Sequence, residues 1–182
     1  MIPFERDSNT ISATFTPLES ELITDLASSI AQLLDNRARS PESDPLFDVV
    51  GMGGSDAVSS DPAIARLLPD AYLDDSDSSK EFRQFTERSL ASRKIANARV
   101  VVNTLEHASG GDVVLDDAAA QSWLRAISDI RLAIAARLGI EHDEDHGSLG
   151  GGSAEEESVM LREVYDWLAY VLESLVVAID VD

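Results

Sequence analysis

Cysteine is absent from the 182 residues of the chain. Without thiols the protein can form no disulfide, zinc–thiolate site, iron–sulfur site or thiol redox switch. Basic residues are also few, because 14 lysines and arginines stand against 34 aspartates and glutamates, and the formal net charge is −20. A charge of this sign repels nucleic-acid backbones and anionic membrane surfaces, so we expect no direct nucleic-acid partner. It suits basic partners, or it simply keeps the chain soluble.

A long apolar run is missing as well. The longest one, near the C-terminus, is interrupted by Asp166 and Glu173 and is too short to cross a bilayer. The residues after Met1 turn polar at once, without the charged and then apolar order of a secretion signal. We therefore expect a cytoplasmic protein with no membrane partner.

Helical periodicity, by contrast, is strong. Apolar residues make up 44% of the chain, and they recur at helical spacing in four segments. A fifth, shorter helix is indicated by a cap followed by proline at Asp61-Pro62. The pattern predicts a mainly α fold, with a single helical domain over residues 1–182 and flexible loops at about 40–60 and 141–154. The predicted helices span about 17–38, 62–68, 78–107, 117–138 and 155–180.

Two short segments between the helices have strand character. Residues 11–15 alternate apolar and polar side chains, and residues 112–115 follow a Gly-Gly pair that ends the third helix. Pairing these segments would satisfy the backbone groups of both. The chain therefore allows a short two-stranded β ribbon beside a bundle of about five helices.

Two of the three histidines lie in the stretch HDEDHGSLGGGSAEEE, residues 142–157. His142 and His146 could bind zinc if they lay one helical turn apart, with an acid as third ligand. The glycines that follow are flexible and poorly suited to holding ligands in place, and the acids are typical of a solvated loop. We favour a linker and predict neither a metal nor a cofactor, while the metal site remains the alternative.

Polar residues interleave with the apolar stripes of the fourth and fifth predicted helices. Two acids could each pair with an arginine where two helices meet, and such ion pairs would fix which helices pack together. The acids are Asp129 and Asp166, and the arginines are Arg83, Arg125 and Arg131. A second interpretation is a small-ligand pocket, because convergent polar groups in an apolar seam can form a site. The candidate polar cluster comprises these five residues and Tyr165.

The third predicted helix carries six of the fourteen basic residues. They could anchor an acidic partner or a phosphate, or they could neutralise acids on neighbouring helices of this acidic chain. We favour neutralisation, because basic residues without interleaved aromatics are a weak nucleic-acid signal. The six residues are Lys80, Arg83, Arg88, Arg93, Lys94 and Arg99.

The fifth predicted helix is apolar over much of its circumference. Such a helix lies in the centre of a bundle or packs against a partner. Its heptad-like spacing would also suit a homodimer, and the sequence does not separate burial within the domain from burial between subunits. The candidate interface residues are Trp167, Val171 and Leu175.

Four segments of the chain carry a family resemblance: DPAIARLLPDAY (61–72), EFRQFTE (81–87), WLRAISDIRLAIAARLG (123–139) and YDWLAYVLESLV (165–176). They resemble the actinobacterial domain-of-unknown-function family number two thousand and seventeen. The first helix start, Thr16-Pro17-Leu18-Glu19, fits this family too, so the resemblance covers nearly the whole chain. It implies a cytoplasmic, mostly helical protein without an assigned activity, often encoded beside the Clp protease adaptor, with suggested regulatory roles in oxidative stress.

These observations favour a non-enzymatic interaction or regulatory protein, with a protein partner or a second copy of itself, linked to transcription or proteolysis. Serine is abundant, but no Gly-x-Ser-x-Gly motif occurs, and only His107 remains outside the stretch at 142–157 as a base. The alternative is a small-ligand-binding or enzymatic protein with a polar pocket between the fourth and fifth helices.

Overall fold

The computed structural model describes the backbone of residues 1–38, 61–69, 78–140 and 153–180, and the side chains of 1–37, 61–69, 86–140 and 158–180. Eight elements lie within these ranges. In chain order they are β1 (Ile2–Asp7), β2 (Thr10–Thr14), α1 (Pro17–Ala38), α2 (Pro62–Leu67), α3 (Ser78–Glu106), β3 (Asp112–Leu115), α4 (Asp117–Leu138) and α5 (Ser153–Asp180). The predicted loop at 40–60 lies outside the described residues, as does that at 141–154 up to residue 152.

The five described helices confirm the mainly α prediction, and their bounds agree with the predicted ones within two residues. Local capping explains this agreement. The N–H of Thr16 donates to Glu19 Oε2 at 2.8 Å, and the N–H of Glu19 donates to Thr16 Oγ1 at 3.3 Å, which forms a capping box at the start of α1. The side chain of Asp61 accepts from the N–H of Ala63 at 2.9 Å and caps α2. None of the described helices combines the length and apolar character that a membrane span requires.

The predicted ribbon is confirmed and belongs to a three-stranded antiparallel sheet of order β1-β2-β3. β2 and β3 pair with Ile11 opposite Leu115, so the two segments expected to pair do so. The strand β1 is not predicted from the sequence, because Pro3 and the charged residues after Phe4 obscure its alternation. The hairpin between β1 and β2 turns at Ser8, whose φ of 53° lies in the left-handed region.

One hydrophobic core joins all eight described elements. α4 lies at its centre, where it packs against α2, α3 and α5 and touches α1 and the sheet. Trp123 of α4 is 0% exposed, and its ring centroid lies 5.7 Å from that of Phe4 and 5.8 Å from that of Phe15. This aromatic cluster ties the sheet to the central helix. α1 packs mainly on α3, and α5 packs on α4 and β1.

Arg6 joins the ends of three elements. Its Nε donates to the carbonyl of Ala178, near the end of α5, at 3.0 Å. Its Nη2 donates to Asp117 Oδ1, in the first turn of α4, at 2.9 Å. A cation is favourable near a helix C-terminus, where carbonyl groups lack partners within the helix. Arg6 therefore holds β1 against both helices.

Candidate functional site

The central helix α4 carries half of the candidate polar cluster, and it directs these side chains towards different neighbours. Asp129 and Arg131 are two positions apart, which on an α-helix separates them by about 200° around the axis. Asp129 meets α3, whereas Arg131 meets α5. The cluster is therefore divided between two helix seams.

A buried ion pair lies in the seam between α3 and α4. Lys94 Nζ donates to Asp129 Oδ1 at 2.5 Å, and the two side chains are 16% and 10% exposed. The sequence pattern offers an arginine as the partner of Asp129, whereas its partner among the described residues is Lys94. Periodicity does not specify this partner, because pairing across a seam depends on the relative axial position of the two helices. The pair agrees with the preferred interpretation, in which basic residues of the third helix neutralise acids on its neighbours.

Burial dominates the electrostatics of this pair. It raises the pKa of the Asp129 carboxyl above its ordinary value of 3.8, and the hydrogen bond and charge of Lys94 oppose that rise. A buried carboxylate with a raised pKa can mark a functional site, but structural ion pairs perturb pKa values as well. The described partner of Asp129 is a lysine of the facing helix. The best explanation of the buried carboxylate is therefore structural: it forms an ion pair that fixes α3 against α4.

A cation–π contact lies in the seam between α4 and α5. Cζ of Arg131 is 4.4 Å from the centroid of the Tyr165 ring, and both residues are half-buried. Nε of Arg131 is buried and has no hydrogen-bond partner within the described part of the chain. An unsatisfied buried donor costs free energy, so the contact positions α5 on α4 at some cost in stability.

The other members of the candidate polar cluster do not join these contacts. Arg125 and Asp166 are exposed, and the side chain of Arg83 lies outside the described residues. Within the described side chains the cluster does not converge on one pocket. A small-ligand pocket would require these polar side chains to converge on one cavity, and the described ones do not, so this alternative is not favoured.

The candidate interface residues of α5 lie mainly inside the protein. Val171 and Leu175 are both 0% exposed, and Trp167 is half-buried and packs against the core. The apolar face of α5 covers α4 and β1 of the same chain, so Val171 and Leu175 pack in the core, where the sequence alone left burial within the domain and burial between subunits open. Neither side chain is available to a partner while the chain is folded.

A different face of α5 is exposed. Three apolar side chains on it, Val159, Tyr170 and Val177, are 49%, 48% and 59% exposed. Three exposed acids lie between them, and all six residues follow one another at spacings of four and three, so they lie in one line along the helix. We call this line the α5 outer stripe, which consists of Val159, Glu163, Asp166, Tyr170, Glu173 and Val177. Helical periodicity could have found it, but the leucines of the opposite face dominate the pattern.

The histidines considered as metal ligands, His142 and His146, lie outside the described residues. Among the residues that the structure does describe, no three His, Asp or Glu side chains are grouped closely enough to hold a metal ion. His107 follows the end of α3, is exposed, and has its Nδ1 2.7 Å from the carbonyl oxygen of Asn103. Its contact is therefore local to the helix end.

The chain is similar to mycobacterial proteins named for oxidative stress regulation. It is 30% identical over 190 residues to the "Oxidative stress regulator AosR" of Mycobacterium bovis, with 96% of this chain and 84% of that protein covered. The same values hold for the protein of this name from Mycobacterium tuberculosis. A Mycobacterium leprae protein whose name also contains "oxidative stress regulator AosR" is 29% identical over 177 residues, with 90% of this chain and 79% of that protein covered. No solved structure matches the chain.

The comparison with protein families agrees with the resemblance found in the sequence. A family model described as "Domain of unknown function (DUF2017)" matches residues 1–179. This range takes in every described element except the last residue of α5. The chain therefore belongs to the DUF2017 family.

Proposed function

We propose that the chain is a non-enzymatic regulatory protein of the cytoplasm that acts by binding another protein during the response to oxidants. The observation that carries this proposal is the likeness to proteins named oxidative stress regulator, which extends over 96% of this chain and 84% of the relative. Because the similarity extends over most of both proteins and is not confined to one segment, it favours a shared role.

The lack of cysteine shapes how such a regulator would work. Thiol-based sensors react with an oxidant through a cysteine thiolate, and this chain has no cysteine. Its contribution to the response is therefore contact with a protein and not thiol chemistry of its own.

The contacts of the candidate polar cluster support binding over catalysis. Lys94 and Asp129 neutralise each other in the seam between α3 and α4, and Arg131 lies against Tyr165 in the seam between α4 and α5. Side chains that are committed to helix packing are not free to act on a substrate. The proposed partner class is a component of transcription or of proteolysis.

A genetic experiment tests the proposal. The gene is deleted in the organism that encodes the chain, and survival is measured after hydrogen peroxide challenge. We expect the deletion to reduce survival and the wild-type chain to restore it. Equal survival of the deletion strain and the wild type would contradict the regulatory role.

A variant without the ion pair separates structural from catalytic use of Asp129. Lys94→Met combined with Asp129→Leu removes both charges and keeps the seam filled, so we expect a folded protein that restores survival. A folded double variant that fails to restore survival would contradict the non-enzymatic assignment of this pair. RNA sequencing and pulse-chase half-lives in the same strains then distinguish a transcription partner from a proteolysis partner.

A further inference from the structure

The α5 outer stripe is a solvent-exposed line of three apolar and three acidic side chains. Its apolar members Val159, Tyr170 and Val177 are between 48% and 59% exposed. Its acidic members are exposed too, and none has an ion-pair partner among the described residues. The opposite face of the same helix is in the core, with Val171 and Leu175 at 0% exposure. α5 therefore has one face for the fold and a second face that the described chain does not use.

The spacing of the stripe fits a helical partner. Residues at intervals of four and three stay on one side of a helix over several turns, and a second helix packed along that side meets all of them. From Val159 to Val177 the stripe spans 19 residues, and its 18 steps of 1.5 Å give a length of roughly 27 Å. An amphipathic helix of about five turns would cover this length.

The negative charge of the stripe determines which kind of partner helix would fit it. The three carboxylates Glu163, Asp166 and Glu173 flank the apolar members, so a fitting partner places lysines or arginines beside its own apolar line. A second copy of this chain would bring the same carboxylates face to face in a symmetric pair, which is repulsive. Segments of this chain outside the described residues are acidic as well: residues 39–60 contain four acids and one arginine, and residues 70–77 contain four acids and no base.

We propose that the α5 outer stripe binds a basic amphipathic helix of the regulated protein. This inference rests on the proposed function, because it names the surface through which the regulator would contact its partner. The apolar residues of the stripe provide contact area, and its carboxylates select for positive charge and orient the incoming helix.

A binding experiment with a defined probe tests the surface. The probe is a fluorescein-labelled synthetic helix of ~20 residues with leucines along one line and lysines beside it, and fluorescence anisotropy measures its affinity for the full chain. We expect Tyr170→Ser with Val177→Ser to weaken binding about tenfold, which corresponds to about 1.4 kcal/mol, since both substitutions remove apolar area that the probe would bury. The matched control is Leu18→Ser with Val114→Ser, two apolar residues that are 75% and 60% exposed elsewhere on the surface.

The net charge of the chain requires a second control, because any basic peptide is attracted to an acidic protein. Replacing the three acids of the stripe by their amides should weaken binding more than replacing three exposed acids on other helices, although both triple variants lose the same charge. The two variants are E163Q/D166N/E173Q and E21Q/D25N/E106Q. Equal weakening by the two triple variants, or by the two serine variants, would overturn the proposal, since binding would then reflect total charge alone.

Cross-linking in cells separates failure of this surface from failure of the proposed function. A photo-reactive amino acid replaces Val177 in one strain and Val114 in another, and the cross-linked products are identified by mass spectrometry. A product at position 177 with a lysine- or arginine-rich helix of another protein supports the proposal. A cross-link to another protein at position 114 alone overturns the assignment of the binding surface to the α5 outer stripe but keeps the partner-binding function. A cross-link at position 177 between two copies of this chain overturns the choice of partner. No product at either position, or at further exposed positions on α1 and α3, overturns both.

Discussion

Replacing Lys94 with methionine should destabilise the fold by about 2–3 kcal/mol at neutral pH. Exposed ion pairs contribute about 0–1 kcal/mol, whereas removing one partner of a buried pair costs about 3–5 kcal/mol. The Lys94 and Asp129 side chains are 16% and 10% exposed, so the pair lies nearer the buried limit. Most of the cost comes from the Asp129 carboxylate, which stays in the seam without its cation.

The pH dependence of this loss follows from the pKa of Asp129. Burial already raises that pKa, and removing Lys94 takes away the contribution that lowers it. The folded variant therefore binds a proton more tightly than the unfolded chain does, so its stability is greatest below the ordinary pKa of 3.8 and falls as pH rises through the raised folded pKa. The destabilisation should consequently be smaller at about pH 5 than at about pH 7.

Urea denaturation followed by circular dichroism measures these free energies. The matched control is Arg93→Met, which removes a positive charge from the adjacent, exposed position of α3 and should change stability by less than about 0.5 kcal/mol. Lys94→Met combined with Asp129→Leu should recover most of the loss, because two apolar side chains leave no unpaired charge. A cost of Lys94→Met no larger than that of Arg93→Met would refute the reasoning, as would a loss that grows towards acid pH.

Two further substitutions test the packing. Gly111→Ala should lower the free energy of unfolding by about 3 kcal/mol in urea denaturation, because a Cβ there would lie 2.0 Å from the carbonyl oxygen of Phe15 and φ is 88°. Gly110→Ala is the control, since φ is 69° but the space around a Cβ is open, and it should cost about 1 kcal/mol. Equal costs of the two substitutions would contradict the steric explanation. Val171→Asp should unfold the chain, because it buries a charge at a position that is 0% exposed, whereas Val177→Asp at 59% exposure should stay within about 1 kcal/mol of wild type. Size exclusion and circular dichroism distinguish the two, and a folded Val171→Asp protein would mean that this face of α5 is not core.

The helices were predictable because their boundaries are set by neighbouring residues. Thr16 bonds Glu19, three positions along, and Asp61 bonds the N–H of Ala63, two positions along, so both caps are visible in the local sequence. The apolar periodicity that follows then predicts how far each helix runs. β1 was not predictable in this way, since only Phe4 of the strand is buried and its flanking residues are proline and charged side chains. The strand forms because β1 pairs with β2 and packs against α5, and these contacts exist only in the assembled fold.

The candidate site was harder to predict than the fold. Sequence spacing places Asp129 as a polar residue within an apolar helix, but it does not specify which residue of a neighbouring helix lies opposite, and so it does not identify Lys94 as the partner. The same limit applies to α5. Its periodicity shows two faces, and only the packed structure shows that Val171 faces the core and Val177 faces solvent.

The bond from Arg6 to the carbonyl of Ala178 also has a consequence for how the chain is synthesised, because it links positions 172 residues apart. A ribosome that adds roughly 5–20 residues per second releases β1 on the order of 10 s before the end of α5. During that interval the faces of α4 and β1 that α5 will cover remain open to solvent and to chaperones. A chain whose translation stops before α5 would keep that apolar surface exposed and would be prone to aggregation. Emergence of α5 from the ribosome is thus the step that covers these faces of α4 and β1.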